Sequence, residues 1–418
     1  MPTNSIEQPL AMSAAAPKSP TAGRLLSLDA LRGFDMFWIL GGDALVHALR
    51  GMSDNAWISV LDRQMDHCDW AGFHFYDLIF PLFVFIAGVS SVFSLTKTIE
   101  KEGRTVAVRR VLRRGLLLIL FGIICYGGVC GNWSDVRLLG VLQRIGIAYM
   151  CAGLLFCFLR VRGLAVACAI LLLGYWLLMS FTPIRDIHLN KGEFERLAIE
   201  RGTSDPRRIF AETTATVTGR FEPGYNLSDH VDFQYLPCRK YFGYCDPEGL
   251  LSTLPAIGTC LLGVLAGLLL RNQTWSDRRK LAWLLGAGVT CVAMGWLWGL
   301  QFPVVKKIWT SSFVLVAGGW SAILLSVFYW MIEMRHWKRW AVPFTWIGMN
   351  AITAYLAVDG ELINFHDLAE RLFGGPVARL LDAHVMTGLG GVVVAMGSLA
   401  VVLTFVWYLH RKQIFLRV

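Results

Sequence analysis

The chain alternates between long apolar stretches and short polar joints. An apolar stretch of roughly 20 residues is long enough for an α-helix to cross the hydrocarbon core of a bilayer. Stretches of this kind fall at about 26–49, 74–97, 111–130, 137–159, 163–183, 250–270, 281–301, 311–333, 343–364 and 386–409. The pattern therefore predicts an all-α, polytopic integral membrane protein with about ten transmembrane helices.

The positive charges of the joints also alternate. The joints after the second, fourth, sixth and eighth predicted helices are rich in Lys and Arg, as is the C-terminal end. Short loops with this excess face the cytoplasm. The alternation predicts that both termini are cytoplasmic, and that the odd-numbered joints, which carry His67 and the polar segment 184–249, are extracytoplasmic.

Two segments depart from the alternation. Residues 1–23 are rich in Ala, Ser, Pro and Thr and lack the apolar centre of a signal peptide, so the sequence predicts a disordered cytoplasmic tail there. Residues 24–418 then form a single transmembrane domain, with an extracytoplasmic insert at 184–249. The insert is either a plain surface excursion or a lid that binds an acceptor, since long loops in compact domains are commonly functional.

The composition narrows the class of protein further. Of the 418 residues, 55% are hydrophobic and only 17% are charged, and Lys plus Arg outnumber Asp plus Glu by 39 to 30. Loops that face the cytoplasm account for this excess without a nucleic-acid surface, so no nucleic-acid partner is predicted. The nine His residues show no metal-ligand spacing, and no metal site is predicted. Cys238 and Cys245 lie in the insert, where a disulfide between them requires an oxidising compartment.

The densest group of titratable residues stands directly before the second predicted helix, in DHCDWAGFHFYDLIFPLFVFIAG (residues 66–88). A neutral imidazole can accept or pass a proton near neutral pH, and a carboxylate two residues away could orient it. We therefore predict His67 and Asp69 as a catalytic pair. The alternative is that His67 is a solvated histidine in an interfacial loop.

Other ionisable or amide side chains lie inside or at the mouth of apolar stretches, where a charge is costly and commonly functional. Asp29 and Arg32 are three residues apart, so they share a helix face and can neutralise each other. Asp246 followed by Pro247 is typical of a helix N-cap with Pro at the first helical position. The same class of side chains includes Asp35, Asp43, Gln143, Arg144, Glu248 and Asn350.

Seven blocks follow one another along the chain: SLDALRGFD, HCDWAGFHFYDLIFPLFVFIAG, RRGLLLILFG, GVLQRIGIAY, DPEGLLSTLPAIGTCLLGVLAG, KKIWTSSFVLVAGG and WIGMNAITAY. In this order, over about residues 24–360, the chain resembles the heparan-alpha-glucosaminide N-acetyltransferase family and its bacterial relatives in the transmembrane acyltransferase superfamily. The resemblance implies an enzyme of the bacterial inner membrane that uses cytoplasmic acetyl-CoA to acetylate an amino sugar on the far side. It is also compatible with a homodimer.

The resemblance implies roles for individual residues. In the family the His of a His-x-x-Trp-x-Gly block is catalytic, and His67, Trp70 and Gly72 occupy that block here. Asp43 stands where the family has an Asn near that His. A carboxylate accepts a hydrogen bond from the imidazole, whereas an amide could donate one to an acetyl carbonyl, so Asp43 is predicted as a catalytic residue with an altered role.

The binding residues are predicted from charge and position. Basic groups on the cytoplasmic side suit the phosphates of acetyl-CoA, with the positive-inside rule as the alternative explanation of their charge. The predicted donor-binding residues are Arg32, Arg113, Arg114, Gln143, Arg144 and Asn350. The predicted acceptor-binding residues are Trp70, Asp77, Glu248, Lys306 and Lys307.

The combined prediction is a transmembrane acyltransferase that moves an acetyl group from acetyl-CoA to an extracytoplasmic sugar or glycan. His67 acts either as general base or as acetyl carrier, and the acceptor group is either an amine or a hydroxyl. The first alternative is a membrane transporter of a small polar or anionic solute, which broken helices in corresponding positions of two halves would favour. The second is a non-catalytic membrane scaffold that has kept the fold.

Overall fold

The computed structural model describes residues 25–128, 132–358 and 365–416, so the predicted tail at 1–23 lies outside the described residues. The described chain is mainly helical, as the apolar pattern predicts. Helices long and apolar enough to cross a membrane are Phe75–Glu102, Val141–Phe158, Val161–Phe181, Thr253–Arg271, Asp277–Trp298, Ser311–Met334 and Leu389–Arg411. These helices confirm the all-α membrane class.

The first half of the described chain forms seven helices. They are α1 (Leu26–Phe37), α2 (Asp43–Met52), α3 (Ala56–Met65), α4 (Phe75–Glu102), α5 (Arg104–Cys125), α6 (Val141–Phe158) and α7 (Val161–Phe181). A π-helical turn, Trp38–Gly42, joins α1 to α2, and a short 3-10 turn, Trp133–Asp135, precedes α6.

The polar insert at 184–249 is a folded unit. Its helices and strands are β1 (Ile184–Arg185), α8 (Lys191–Arg201), α9 (Pro206–Glu212), β2 (Thr216–Val217), β3 (Phe221–Glu222), β4 (Tyr225–Asn226) and α10 (Leu227–Tyr235). Strand β1 pairs antiparallel with β2, and β3 with β4. A hydrophobic cluster around Phe194, Phe210 and Phe233 gives the insert its own small core.

The second half of the chain completes the bundle. Its helices are α11 (Thr253–Arg271), α12 (Asp277–Trp298), α13 (Ser311–Tyr329), α14 (Val342–Met349), α15 (Ala351–Val358), α16 (Phe365–Phe373), α17 (Pro376–His384) and α18 (Leu389–Arg411). A π-helical turn, Trp330–Met334, extends α13.

Three of the ten predicted stretches are not single long apolar helices among the described residues. The stretch 26–49 breaks at Gly41. Its φ of 121° is a backbone conformation that residues other than glycine rarely adopt. The stretch 343–364 divides at Asn350 into α14 and α15. The stretch 111–130 falls in α5. The first turns of α5 contain several arginines, so the helix is not apolar along its whole length.

The helices approach closely where glycine faces backbone. A Cβ added at Gly88 of α4 would lie 2.1 Å from the carbonyl oxygen of Cys260 in α11, and one at Gly263 of α11 would lie 2.0 Å from that of Phe85. Without a hydrophobic driving force between helices in lipid, small residues that allow such backbone contact stabilise helix pairs. These glycines therefore allow α4, the longest helix described, to pack with its backbone directly against α11.

Helix α4 also defines the two ends of the bundle. Its 28 residues span roughly 42 Å at 1.5 Å per residue. Its first turn contains Asp77, and we call that side the His67 end. Near its last turns Arg110 of α5 bonds to Thr98, and we call that side, where α5 begins with Arg104, the arginine end.

Candidate active site

His67 is held by a buried carboxylate that is not the predicted one. Its Nδ1 lies 2.9 Å from Oδ1 of Asp77, whose side chain is 1% exposed, whereas that of His67 is 49% exposed. With the proton on Nδ1 donated to Asp77, Nε2 keeps its lone pair on an accessible ring. Asp77 rather than Asp69 therefore orients His67, which corrects the predicted pairing.

Asp77 is itself fixed by the backbone around it. Its Oδ2 accepts the backbone N–H groups of Cys68, at 3.2 Å, and of His74, at 3.1 Å. The second of these bonds belongs to a capping box, because His74 is the N-cap of α4 and Asp77 is its third residue. The same Asp77 carboxylate thus caps the N-terminus of α4 and orients His67.

Lys306 joins this pair from the far part of the chain. Its Nζ lies 3.1 Å from Nδ1 and 3.4 Å from Nε2 of His67, and 3.6 Å from Oδ1 of Asp77. Burial lowers the pKa of the Lys306 ammonium, and the Asp77 carboxylate opposes that effect. Lys306 therefore places N–H donors beside the imidazole edge and a counter-charge on Asp77. We call His67, Asp77 and Lys306 the His67 centre.

Backbone pairing between two loops brings Lys306 next to His67. The backbone N–H of Gly72 donates to the carbonyl of Val304 at 2.9 Å, and Ala71 and Val305 form an antiparallel bridge. Lys307, predicted beside the acceptor, donates to the carbonyl of Asp69 at 2.8 Å. Asp69 thus contacts the second lysine through its backbone carbonyl, while the carboxylate bonded to His67 is that of Asp77.

Asp43 reaches the His67 centre through one intermediate. Its Oδ2 accepts the Tyr76 hydroxyl at 2.8 Å, and the Tyr76 ring packs against the His67 ring with centroids 5.0 Å apart. The carboxylate thus acts on Tyr76, which sequence reasoning did not single out. The sequence gives no signal for the contact between Asp43 and Tyr76, because it joins residues of two different helices, α2 and α4.

Cys68 is the other potential nucleophile in this loop. Burial, reinforced by the nearby Asp77 carboxylate, raises the pKa of its thiol to about 11. A thiol in this state is a poor nucleophile at neutral pH. Potential ligand atoms of Cys68, His74 and Asp77 lie within 4.8 Å of one another. In this structure both oxygens of Asp77 accept hydrogen bonds, Oδ1 from His67 and Oδ2 from backbone N–H groups.

Trp70 ties the insert to the His67 loop. Its indole N–H donates to the carbonyl of Phe221 in β3 at 2.7 Å, and its ring contacts the cluster that includes Tyr225 and Phe302. Trp70 was predicted to bind substrate. The structure gives it an anchoring contact, which places the insert next to His67.

A buried charge cluster supports the same end of the bundle. Arg137 donates from Nε and Nη2 to the two oxygens of Asp246, at 3.1 and 2.8 Å, and from Nη2 to Glu248 at 2.7 Å. The two carboxylates raise the pKa of Arg137, against the effect of burial. Asp246 was predicted to cap a helix, but α11 begins only at Thr253. We call Arg137, Asp246 and Glu248 the Arg137 clamp.

Gln143 and Arg144 lie in the first turn of α6, close to the clamp. Arg144 is 1% exposed; its Nη2 donates to Ser252 at 2.5 Å, and its guanidinium stacks 4.9 Å from the centroid of the Trp309 ring. Among the described residues, Nε and Nη1 of Arg144 and both amide atoms of Gln143 have no hydrogen-bond partner. These groups retain capacity for a ligand or for water.

A cavity of about 610 Å³ opens at the arginine end. Its walls come from α1, α4, α5, α6, α14 and α15, and its basic lining residues are Arg32, Arg110, Arg113 and Arg114. Phe83, Leu118 and Ile145 line it with apolar surface. Three of the predicted donor-binding residues thus share one cavity, whereas Gln143, Arg144 and Asn350 do not line it.

Two further predicted groups have simple surroundings. Asn350 separates α14 from α15; its amide N–H donates to Trp346 at 3.3 Å, and its Oδ1 has no partner among the described residues.

Cys238 and Cys245 are both free thiols. Burial raises the pKa of Cys245, so this thiol is protonated at neutral pH.

The comparisons with known proteins agree with this picture. Residues 24–192 match a family described as heparan-alpha-glucosaminide N-acetyltransferase, catalytic. The match contains α1 to α7 and therefore holds His67, Asp77, Asp43 and every basic residue of the cavity, and it confirms the resemblance carried by the sequence blocks. Lys306 comes from outside the matched range.

Two curated relatives carry the family name in full. The chain is 25% identical over 345 residues to the heparan-alpha-glucosaminide N-acetyltransferase of Mus musculus, which covers 73% of this chain and 50% of that protein. It is 26% identical over 328 residues to the protein of the same name from Homo sapiens, which covers 69% and 48%. The chain spans about half the length of the curated relatives it matches.

Proposed function

We propose that this protein is a transmembrane acyltransferase that moves an acetyl group from acetyl-CoA to the amine or hydroxyl of a sugar. The observation that carries the proposal is the His67 centre, in which a half-exposed imidazole is oriented by a buried carboxylate and flanked by a lysine. A solvated interfacial histidine needs neither partner. The names of the relatives, both N-acetyltransferases, support the reaction class.

The donor site in this proposal is the cavity at the arginine end. Its volume lies within the range of small-molecule sites, roughly 300–1,000 Å³. Arginines suit phosphates because the guanidinium donates in pairs and stays charged. The phosphates of acetyl-CoA would lie among Arg110, Arg113 and Arg114, with the acyl arm directed along α4 toward His67.

Two routes are open at His67. As acetyl carrier, Nε2 forms a bond to the acetyl carbon while the thioester C–S bond breaks, and the thiolate of CoA leaves and takes up a proton. The acceptor then attacks the acetyl carbon, the bond from Nε2 to the acetyl carbon breaks, and the released imidazole takes the acceptor proton. As general base, Nε2 takes the acceptor proton while the acceptor attacks the thioester directly; the C–S bond breaks, and the thiolate of CoA leaves and takes up that proton. In either route the N–H donors of Lys306 lie where they can stabilise a developing oxyanion.

The membrane arrangement completes the proposal. The charge alternation supports cytoplasmic termini and an arginine end that faces the cytoplasm, where acetyl-CoA is made. The His67 centre and the insert would then face outside, across a bacterial inner membrane, with about ten crossings if the broken stretches 26–49 and 343–364 each cross once. Gln143, Arg144 and Asn350 would line the path between the cavity and His67, and Glu248, Lys307 and Trp70 would shape the acceptor side. A homodimer is compatible with this arrangement.

The test is binding and turnover of radiolabelled acetyl-CoA by the purified protein in detergent. His67→Ala should reduce thioester breakdown in the presence of amino sugars by about 10²- to 10⁴-fold, the usual contribution of a positioned acid–base group, and should leave donor binding intact. His47→Ala is the matched control, because His47 pairs with Asp62 away from the centre. Absence of acetyl-CoA binding by folded wild-type protein would contradict the proposal.

A further inference from the structure

A short segment after the last helix forms part of the wall of the donor cavity. Helix α18 ends at Arg411, and the residues that follow it have no helical structure. Two of them, Phe415 and Leu416, line the cavity at the arginine end together with the arginines. The segment 413–416 therefore contacts the proposed donor site, although the residues of α18 itself do not line it.

A defined turn directs this segment to the cavity. The backbone N–H of Ile414 donates to the carbonyl of Leu409 at 2.9 Å, and that of Gln413 donates to the carbonyl of His410 at 3.1 Å. Two bonds with this spacing form a Schellman motif, in which the first residue after the helix C-cap is left-handed and usually glycine. Here that residue is Gln413, with a φ of 56°. A residue other than glycine is unfavourable in this conformation, and contacts of the surrounding structure must hold it there.

The ring of Phe415 is available to a ligand. The residue is half-buried, and its ring meets the His410 ring edge to face, with centroids 6.2 Å apart and planes at 68°. The His410 ring in turn lies 6.2 Å from the Trp346 ring of α14, between centroids. An edge-to-face contact covers at most one face of an aromatic ring. Phe415 is thus supported from α18 and α14, and it keeps ring surface for a planar group in the cavity.

The proposed donor has such a planar group beside its phosphates. In CoA the adenosine and the pantetheine arm are attached to opposite ends of the diphosphate. With the phosphates at the cavity arginines and the arm directed along α4 toward His67, the adenine lies at the outer opening. Arg113 and Leu416 mark this opening, because both line the cavity and both are exposed. Phe415 adjoins Leu416 in the chain and therefore borders the space that remains for the base.

We propose that Phe415 binds the adenine ring of the acyl-CoA donor by stacking. The inference rests on the proposed function and adds a residue that recognises the nucleotide. Stacking of a base on an aromatic side chain is favourable because both groups present planar π-faces. The arginines attract any phosphate through charge, whereas the Phe415 ring favours a phosphate that carries a base. The segment 413–416 thus makes the cavity selective for a nucleotide over other anions.

Measurements on Phe415→Leu test this role. The substitution keeps an apolar side chain but removes the π-face, so we expect acetyl-CoA affinity to fall about tenfold. ADP, which carries the base and two phosphates without the pantetheine arm, should lose affinity by the same factor. S-acetylpantetheine, which lacks the nucleotide, should be turned over equally by wild type and variant. Phe415→Trp keeps an aromatic ring and should retain wild-type affinity for acetyl-CoA.

A matched control and a stability measurement separate the possible outcomes. Ile414→Val changes a neighbour that is 51% exposed and does not line the cavity, so it should leave acetyl-CoA affinity unchanged. Thermal midpoints of all variants should stay close to that of wild type, because the changed residues follow the last helix. Wild-type affinity of Phe415→Leu for acetyl-CoA and ADP would overturn the inference alone. An equal loss of acetylpantetheine turnover would also overturn it, since the ring would then shape the cavity as a whole. If wild-type protein bound no acetyl-CoA, the proposed function itself would fail.

Discussion

The His67 centre and the Arg137 clamp are two charged clusters at the same end of the bundle, yet they are built differently. In the clamp every member is buried: the side chains of Arg137, Asp246 and Glu248 are 7%, 0% and 11% exposed. In the centre only Asp77 is fully buried, and the imidazole of His67 is half-exposed with an accessible ring nitrogen. Both clusters pair a basic group with a carboxylate, so charge pairing alone does not distinguish them.

The difference shows how a structural ion pair can be told from a reactive one. Arg137 uses both its Nε and its Nη2 on acidic partners, and its guanidinium lies 4.6 Å from the centroid of the Tyr126 ring, which closes it off from solvent. A saturated buried pair holds elements together but is poorly placed to bind a substrate. His67 contacts Asp77 and Lys306, yet its side chain stays 49% exposed, so a substrate can reach the ring, as the proposed role in proton or acyl transfer requires.

The largest expected effect concerns the clamp. Arg137→Met would leave Asp246 and Glu248 buried without their counter-charge, and removing one partner of a buried pair destabilises proteins by about 3–5 kcal/mol. Thermal and denaturant unfolding in detergent should show this loss, while the activity of the molecules that remain folded persists. Arg196→Met, in an exposed pair with Glu193, is the control and should leave the midpoint unchanged. A stable but inactive Arg137→Met protein would show that the clamp takes part in the chemistry.

The next effect concerns the centre. Asp77→Asn keeps the shape of the side chain but removes the negative charge that orients Nδ1–H of His67 and pairs with Lys306. We expect turnover of acetyl-CoA to fall about 10²-fold, with little change in donor affinity. Asp69→Asn is the matched control, because the contact of Asp69 with Lys307 uses the backbone carbonyl. Equal losses of turnover in the two variants would support Asp69, the predicted partner, as a residue that orients His67.

A smaller effect is expected at the arginine end. Arg113→Gln together with Arg114→Gln removes two charges from the cavity wall and should weaken acetyl-CoA binding about tenfold, more at low than at high ionic strength. Arg109→Gln lowers the charge of the same helix at an exposed position that does not line the cavity, and should leave binding unchanged. If Arg109→Gln were as harmful as the double variant, the general charge of this end and not the cavity would attract the donor.

The smallest effect is a pH dependence next to the clamp. Asp232 of α10 accepts the backbone N–H groups of Leu250 and Asp246, and burial raises the pKa of its carboxyl to about 7, from about 3.9 in an unfolded chain. The folded state therefore binds a proton that the unfolded state has released over this window, so stability falls as pH rises from about 4 to about 7.

Asp232→Asn removes this titration. Unfolding midpoints followed across the same pH range should then be flatter than in wild type. Asp54→Asn, at a side chain that is 96% exposed, is the control and should keep the wild-type slope. A wild-type slope in Asp232→Asn would mean that another group near the clamp governs the pH dependence.

The apolar pattern by itself determined the class of protein and most of its helices. Length and hydropathy are local properties, so α4, α6, α7, α11, α12, α13 and α18 all lie within or around the stretches that the sequence predicts. The same local logic failed at Gly41 and Asn350, where a positive φ and a turn interrupt stretches that read as continuous. The block around His67 was also readable, because a motif is a local arrangement of residue types.

Only the tertiary structure decided which side chains act together. Asp69 is near His67 along the chain, but the loop turns its backbone toward Lys307, while the start of α4 folds Asp77 back onto the imidazole. Lys306 is 239 positions away and arrives through a bridge between two loops. Side-chain contacts of this kind depend on where a helix begins and which loops pair, and neither is encoded in the spacing of residues along the sequence.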